Sequence, residues 1–262
     1  MPDLHTPNAE QGDRFMATSQ HSKRVSPRRR GPLAEALVSL AETPDHVSGF
    51  AGRLTAIATM AAGRIAAADY ASVTTLRGRE YTTVATSSDI ALAVDEAQFA
   101  DRSGPCLQAL ETGEPVGVPD IAAATMDWPS FHEVAPALGL RASISVPLYS
   151  GRGTPIAVLN LYGRDDAAME PLITGVAELY ATSRELELDS PGPPVADPGA
   201  EELLTGYAGA LAVRATIRLA VDILAGRTAG GIDDAYTVLC AQAAENGTSL
   251  SVAAAAVLRE HL

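Results

Sequence analysis

The chain has 262 residues, enough for one large domain or two ordinary ones, each with its own core. Its net charge of −13 is uneven: residues 1–31 hold six basic side chains (Arg14, Lys23, Arg24, Arg28, Arg29, Arg30) against three acids, leaving roughly −16 for the rest. Such an acidic body excludes a whole-protein attraction for phosphate backbones, so any nucleic-acid role needs a local positive patch.

Residues 1–31 are polar and basic without an apolar period, and are expected to stay disordered, with Met16 a second candidate start. From Pro32 the residues Leu33, Ala36, Leu37 and Leu40 fall at helical spacing. Pro44, after the cap candidate Thr43, is expected to open a longer helix with Phe50, Leu54, Ile57, Ala61 and Ile65 in one stripe. That stripe needs a cover, and the following strands are the natural one. The runs ASVTTLR (71–77) and YTTVAT (81–86) flank Gly78-Arg79-Glu80 and predict a β-hairpin. A polar stretch with Asp95 and Gln98 follows. Gly104-Pro105 then opens a short helix, PVGVPD is read as a strand, and WPSFHEVAPALG as a helical segment ending on Gly139.

The clearest local signal is RASISVPLY and TPIAVLNLYG around Ser150-Gly151-Arg152-Gly153, a second antiparallel hairpin. Helical period returns over 169–187 through Leu172, Val176, Leu179 and Tyr180. Helices on either side of an antiparallel sheet predict an α+β layer domain over residues 32–187. Residues 188–200 are read as a linker, on the Pro- and Gly-rich run SPGPPVADPGA. A small all-α unit over 201–262 follows: a helix to about Leu224, a second over 233–244 opened by Asp233-Asp234, and a third capped by Thr248 or Ser249. Sixty-odd residues in three Ala-rich helices make a marginal core, so a homodimer is expected.

The segments DEAQFADRSGPCLQALETGEPVGVPDI and WPSFHEVAPALGLRASISVPLYSGRGTPIAVLNLYG closely resemble the GAF domains of actinobacterial signalling proteins. The motifs that carry this are Gly104-Pro105-Cys106, Val118-Pro119-Asp120, Trp128-Pro129 with Phe131, Gly139-Leu140-Arg141, Pro147-Leu148 and Leu159-Asn160-Leu161-Tyr162. The resemblance implies a small-molecule or redox-sensing pocket on one face of an antiparallel sheet. Nothing in the sequence names the ligand, and no cofactor is implied. By chemistry the pocket candidates are Asp95, Gln98, Cys106, Trp128, Phe131 and Tyr149, a few polar groups among apolar walls. Trp128 and Phe131 also suit the core of a domain poor in aromatics.

After the linker, ALAVRATIRLAVDILAG, DDAYTVL and SLSVAA resemble the ANTAR output module through Ala210, Leu211, Arg214, Ile217 and Ala220, then Asp234, Ala235 and Tyr236, then Leu250, Ala253 and Ala254. That resemblance implies a dimer that binds paired RNA stem-loops and so blocks transcription terminators. The candidate RNA-binding residues are Arg214, Arg218, Arg227 and Tyr236, with Arg214 and Arg218 one helical turn apart. The family's usual basic residues are replaced here by Val221-Asp222, by Cys240-Ala241 and by Thr248, Ser249 and Ser251, and residues 201–262 hold four Arg against seven acids. Two expectations therefore stand side by side: a signal-responsive RNA-binding antiterminator, or a ligand or redox sensor whose degenerate ANTAR-like tail mediates dimerisation or protein docking.

No enzyme motif is present, neither a phosphate loop nor HExxH nor Gly-x-Ser-x-Gly. Cys106 with His132 is the one conceivable nucleophile pair, although a Cys opening an apolar helix more often belongs to a core. The five histidines (His5, His21, His46, His132, His261) and two cysteines (Cys106, Cys240) lack metal-ligand spacing. Cysteine usage, the absence of a signal-peptide pattern and the lack of any apolar run near ~20 residues predict a cytoplasmic protein with no membrane partner.

Overall fold

The computed structural model describes residues 30–45, 49–123, 127–184, 197–227 and 231–261. The basic tail expected over 1–31 lies outside these apart from its last two residues, as does the linker expected over 188–200 up to residue 196. Among the described residues the order is α1 (Pro32–Ala41), α2 (Phe50–Arg64), β1 (Tyr70–Arg77), β2 (Glu80–Thr86), α3 (Asp89–Asp101), α4 (Pro105–Thr112) and β3 (Val116–Val118). There follow α5 (Pro129–Ala137), β4 (Ala142–Tyr149), β5 (Pro155–Gly163), α6 (Asp166–Arg184), α7 (Pro198–Arg227), α8 (Ile232–Glu245) and α9 (Leu250–His261). The fold is α+β. Its five strands form one sheet in the order β2-β1-β5-β4-β3, with every neighbouring pair antiparallel.

Alternation along the strands gives the sheet two unlike faces. Ala71 and Val73 of β1, Ile144, Val146 and Leu148 of β4, and Leu159 and Leu161 of β5 point to one side and are buried. There they meet the α2 stripe of Leu54, Ile57, Ala61 and Ile65, the cover that the stripe required. The other side carries Ser72, Thr74, Ser143, Ser145, Asn160 and Tyr162, equally buried beneath α3, α4 and α5.

Two elements differ from expectation. The second helix begins at Phe50, not Pro44, and Thr43 closes α1: its hydroxyl donates to the Ser39 carbonyl at 2.7 Å and accepts from Arg53 at 2.9 Å. The supposed polar stretch around Asp95 is the regular helix α3, opened by the Ser88 hydroxyl, which accepts from the Ile90 N–H. Its buried residues Ala91, Val94, Asp95 and Gln98 keep the i, i+3, i+4, i+7 spacing of a helix face. Half of that face is polar, so hydrophobic periodicity cannot reveal it.

Helix α7 starts at Pro198, inside the segment whose composition suggests a linker, and runs for 30 residues. Asp197 precedes it, accepting from Gly199 N–H at 2.8 Å and from Ala67 N–H at 3.2 Å. Leu203, Leu204, Tyr207 and Leu211 complete the core on the apolar side of the sheet. Farther along, Val213, Ile217, Ala220, Val221 and Leu224 pack with α8, α9 and the α1 residues Val38 and Ala41. Glu202 ties the helix down, accepting from Leu33 N–H at 3.2 Å while pairing with Arg64 at 2.6 Å.

The α1–α7 contact depends on a small residue. A Cβ on Gly206 would lie 2.6 Å from the Ala34 Cα, a backbone atom that cannot rotate away. A methyl group on Gly226, in the last turn of the same helix, would meet nothing within 4 Å. Gly206→Val should lower stability by about 2 kcal/mol or more, and Gly226→Ala should raise it by about 0.5–1 kcal/mol through helix propensity. Thermal unfolding of the two variants checks both signs; a neutral Gly206→Val would show that α1 does not pack on α7.

Candidate functional site

A sheet face rich in Ser, Thr and Asn is normally left to water, yet here three helices cover it. Most of the polar groups beneath them satisfy one another. Asp95 of α3 accepts from the Tyr162 hydroxyl at 2.7 Å and the Thr83 hydroxyl at 2.8 Å, and from the Asn160 amide at 3.3 Å. The Asn160 amide also reaches Thr74 at 3.1 Å and Ser72 at 3.2 Å, while its carbonyl accepts from Ser145 at 2.9 Å. Gln98, one helical turn beyond Asp95, donates to the Tyr162 oxygen at 3.3 Å. Its own carbonyl accepts from the Cys106 N–H at 2.9 Å, satisfying an orphan donor at the start of α4. Gly104 allows this approach, because a Cβ there would sit 2.3 Å from that carbonyl oxygen.

The electrostatics of the cluster are unusual. Asp95 is fully buried and its hydrogen-bond partners are neutral donors, so desolvation pushes its pKa up to about 6 against the pull of those hydrogen bonds. Burial, and then the neighbouring Asp95, push the Cys106 thiol up as well. That is the reverse of what a thiolate nucleophile requires. His132, the partner considered for it, instead places Nδ1 2.8 Å from the Ile121 carbonyl and stacks on Trp128. Ser143 Oγ, on the same sheet face, is buried without a hydrogen-bond partner among the described residues. Among those residues there is also no cluster of His, Cys, Asp and Glu able to hold a metal ion.

Of the pocket candidates, Asp95, Gln98 and Cys106 come together, and Phe131 and Trp128 pack at the edge of this layer with their rings edge to face. Tyr149 does not join them. Strict alternation after Ser143 and Ser145 would put it on the polar face, but the register shifts between Leu148 and Tyr149. The ring therefore joins the apolar core beside Tyr207, 6.4 Å between centroids. Asn160, Tyr162, Ser145 and Thr83 are cluster members that the sequence did not single out by chemistry. The available signal was the lone Asn within the apolar run of β5.

The four residues considered for RNA separate. Arg214 donates from Nε to the Gly153 carbonyl at 2.8 Å, and its guanidinium lies 4.3 Å from the Tyr149 ring centre. Tyr236 is only 4% exposed, its hydroxyl accepting from the Asp45 N–H and its ring covered by Arg152 at 4.8 Å. Tyr236 is thus not presented for base stacking, and Arg214 is half-buried in a cleft and not on an open surface. Arg218 and Arg227 are exposed. The β4–β5 turn explains this arrangement: a Cβ on Gly151 would meet the Tyr236 hydroxyl at 2.0 Å, and one on Gly153 would meet Arg214 at 2.6 Å. Those two glycines let the turn dock against α7 and α8.

An antiparallel five-stranded sheet with one face in the core and the other roofed by short helices defines an α+β domain of the GAF-like class. The GAF domain family model matches residues 53–183, half of the chain, and the chain belongs to that family. No curated protein matches it. Among solved structures it is similar to a type II free methionine-R-sulfoxide reductase from Thermoplasma acidophilum (19% identity, 50% of this chain, 90% of that one, TM-score 0.35). It is also similar to a GAF domain/HD domain protein from Geobacter sulfurreducens (13%, 72% and 95%, TM-score 0.37). A third likeness is to the A. aeolicus nlh2 GAF domain in an inactive state (12%, 56% and 88%, TM-score 0.36). No helix among the described residues is long and apolar enough to cross a membrane.

The raised pKa of Asp95 has a definite sign. The folded state holds this proton more tightly than the unfolded chain, so the contribution is stabilising below about pH 4 and is lost as pH rises through about 6. Asp95→Asn keeps an acceptor for Tyr162 and removes the buried charge. It should flatten this part of the stability profile and raise stability at pH 7.5 by on the order of 1–3 kcal/mol. Denaturant unfolding of both proteins between pH 4 and 8 measures it; parallel profiles would mean that Asp95 has an ordinary pKa.

Proposed function

We propose that the chain is a signalling sensor that binds a small polar molecule against the Asp95–Asn160–Tyr162 face of its sheet and passes the bound state to the C-terminal helices through the β4–β5 hairpin and α7. The buried polar cluster carries this reading. A purely structural domain gains nothing from placing a carboxylate without a cation under three helices, since an apolar layer of equal volume would be at least as stable. Binding sites keep such groups because the ligand uses their donors and acceptors. Route and site share a strand: Asn160 and Tyr162 lie on β5, whose first residue, Pro155, follows the turn docked on α7 and α8. Catalysis is not part of the proposal.

Between the two outputs considered, protein docking or dimerisation through the helical tail is favoured over RNA-binding antitermination. The Ala210–Ala220 motif and the exposed Arg218 and Arg227 support an RNA role, but Arg214 and Tyr236 already serve the contact with the hairpin. Releasing Tyr236 for base stacking would cost its contacts, and the available cations are few for a polyanion facing an acidic protein.

A thermal-shift screen of polar metabolites on the full chain tests the sensor reading. A ligand near 100 times its Kd adds about 2.7 kcal/mol, several degrees for a protein of this size. The shift should disappear in Asn160→Leu and shrink in Ser143→Ala, which by itself should leave the unliganded protein at least as stable. A ligand whose shift survives Asn160→Leu binds elsewhere and removes the assignment. Mobility-shift titration with tandem RNA hairpins at low salt is expected to show no complex, and salt-dependent micromolar binding would restore the antiterminator.

A further inference from the structure

Away from the buried sheet face, the molecule has a cleft where its two cores meet. The β4–β5 turn, α7 and α8 enclose a cleft of about 380 Å³. Three guanidinium groups line it, from Arg152, Arg214 and Arg218, against one carboxylate, Asp222. Their states differ. Arg152 is engaged by Asp45 at 3.3 Å and by Asp233, and lies over the Tyr236 ring. Arg214 is fixed by Gly153 and the Tyr149 ring through one nitrogen and one face, so its terminal nitrogens have no hydrogen-bond partner among the described residues. Arg218, one turn on, has none among them either, and is exposed at the rim. Pro155, Val221 and the 62% exposed Ile232 supply apolar wall.

We propose that this cleft is a second ligand site, taking a small organic oxyanion: a carboxylate or phosphate group held by Arg214 and Arg218, with an apolar body against Pro155, Val221 and Ile232. Its volume lies in the range of small-molecule pockets. Arg214 is already immobilised, so less side-chain entropy is lost when it binds. The fork of a guanidinium suits both oxyanions. Size is decided by charge: with Arg152 paired to Asp45 and Asp233, a compact anion in the cleft meets chiefly Arg214 and Arg218 across from Asp222, whereas a long polyanion also meets the acidic body of a chain of net charge −13. An occupant would bridge the hairpin turn to α7 and α8 and thereby favour their docked state.

The test is titration of the full-length protein, labelled with ¹⁵N, with phenyl phosphate, benzoate and the neutral benzyl alcohol, following backbone signals and the Arg214 Nε–H signal. Both anions should give saturable shifts at Gly153, Arg214 and Ile232 in the millimolar range or below, and their relative affinity tells phosphate from carboxylate. Arg218→Gln, an exposed change, should weaken binding about tenfold, and Asp222→Asn should strengthen it about threefold. Equal shifts with benzyl alcohol, unchanged affinity in Arg218→Gln, or no shift at millimolar anion would each overturn the proposal. So would RNA hairpins displacing the anion from the same signals with higher affinity. These readouts do not involve the Asp95 face, so failure here leaves the sensor reading intact, and the reverse holds.

Discussion

The two hydrophobic cores of this molecule are joined chiefly along one helix. At 1.5 Å per residue, the 30 residues of α7 extend about 45 Å, well beyond what either core alone needs. The first half supplies Leu203, Tyr207 and Leu211 to the sheet core, and the second half supplies Ile217, Ala220 and Leu224 to the three-helix core. Helix α1 lies across the join and contributes to both, through Leu33, Leu37 and Leu40 on one side and Val38 and Ala41 on the other. A three-helix unit of sixty-odd residues is marginal by itself, and here it borrows α1 and the hairpin turn for its missing burial. The need for a partner subunit, which the sequence suggested on grounds of size, is met at least in part within the chain.

The second constraint is electrostatic. Helices α3, α4 and α5 rest on a layer where Asp95, Gln98, Asn160 and Tyr162 exchange hydrogen bonds between apolar contacts of Phe131, Leu107 and Val158. Such a layer is directional, so its members have few alternative arrangements, and each donor lost leaves a buried acceptor unpaired. The apolar face behaves differently, tolerating small shifts as long as volume is kept. β5 contributes to both faces and follows the docked turn, so in the proposed sensor it is the element that would link Asn160 to Gly153 and Arg214.

Much of this was legible in the sequence wherever pattern and burial agree. Both hairpins follow from β-branched runs around glycine turns, and the stripe of α2 from its spacing. The failures share one cause, which is that the informative residue is polar, or its register is broken. Helix α3 escapes because Asp95 and Gln98 occupy inward positions where periodicity looks for apolar residues. Tyr149 is misassigned because a one-residue irregularity after Leu148 reverses its face, and no residue type in SVPLYSG announces it. Asp197-Pro198 is a cap followed by proline at the first helical position, a start signal masked by the glycine and proline around it.

Tyr236 and Arg214 show why a motif and its use have to be separated. Both stand where the output-module pattern expects them, yet each also meets a residue of the β4–β5 turn, a segment about 60 to 85 positions away in the chain. Sequence spacing on one helix cannot register such a contact. Gly151 and Gly153 could have hinted at it, since a short hairpin turn of this kind needs at most one left-handed glycine and this one holds two glycines. Only Gly153 has positive φ, at 75°; Gly151 is required by proximity, because the Tyr236 hydroxyl occupies the space of its missing Cβ. The turn is thus shaped from outside, by the helices it receives. That is the physical sense in which the sensor sheet and the C-terminal helices form one structure: the loop conformation of one half is set by side chains of the other.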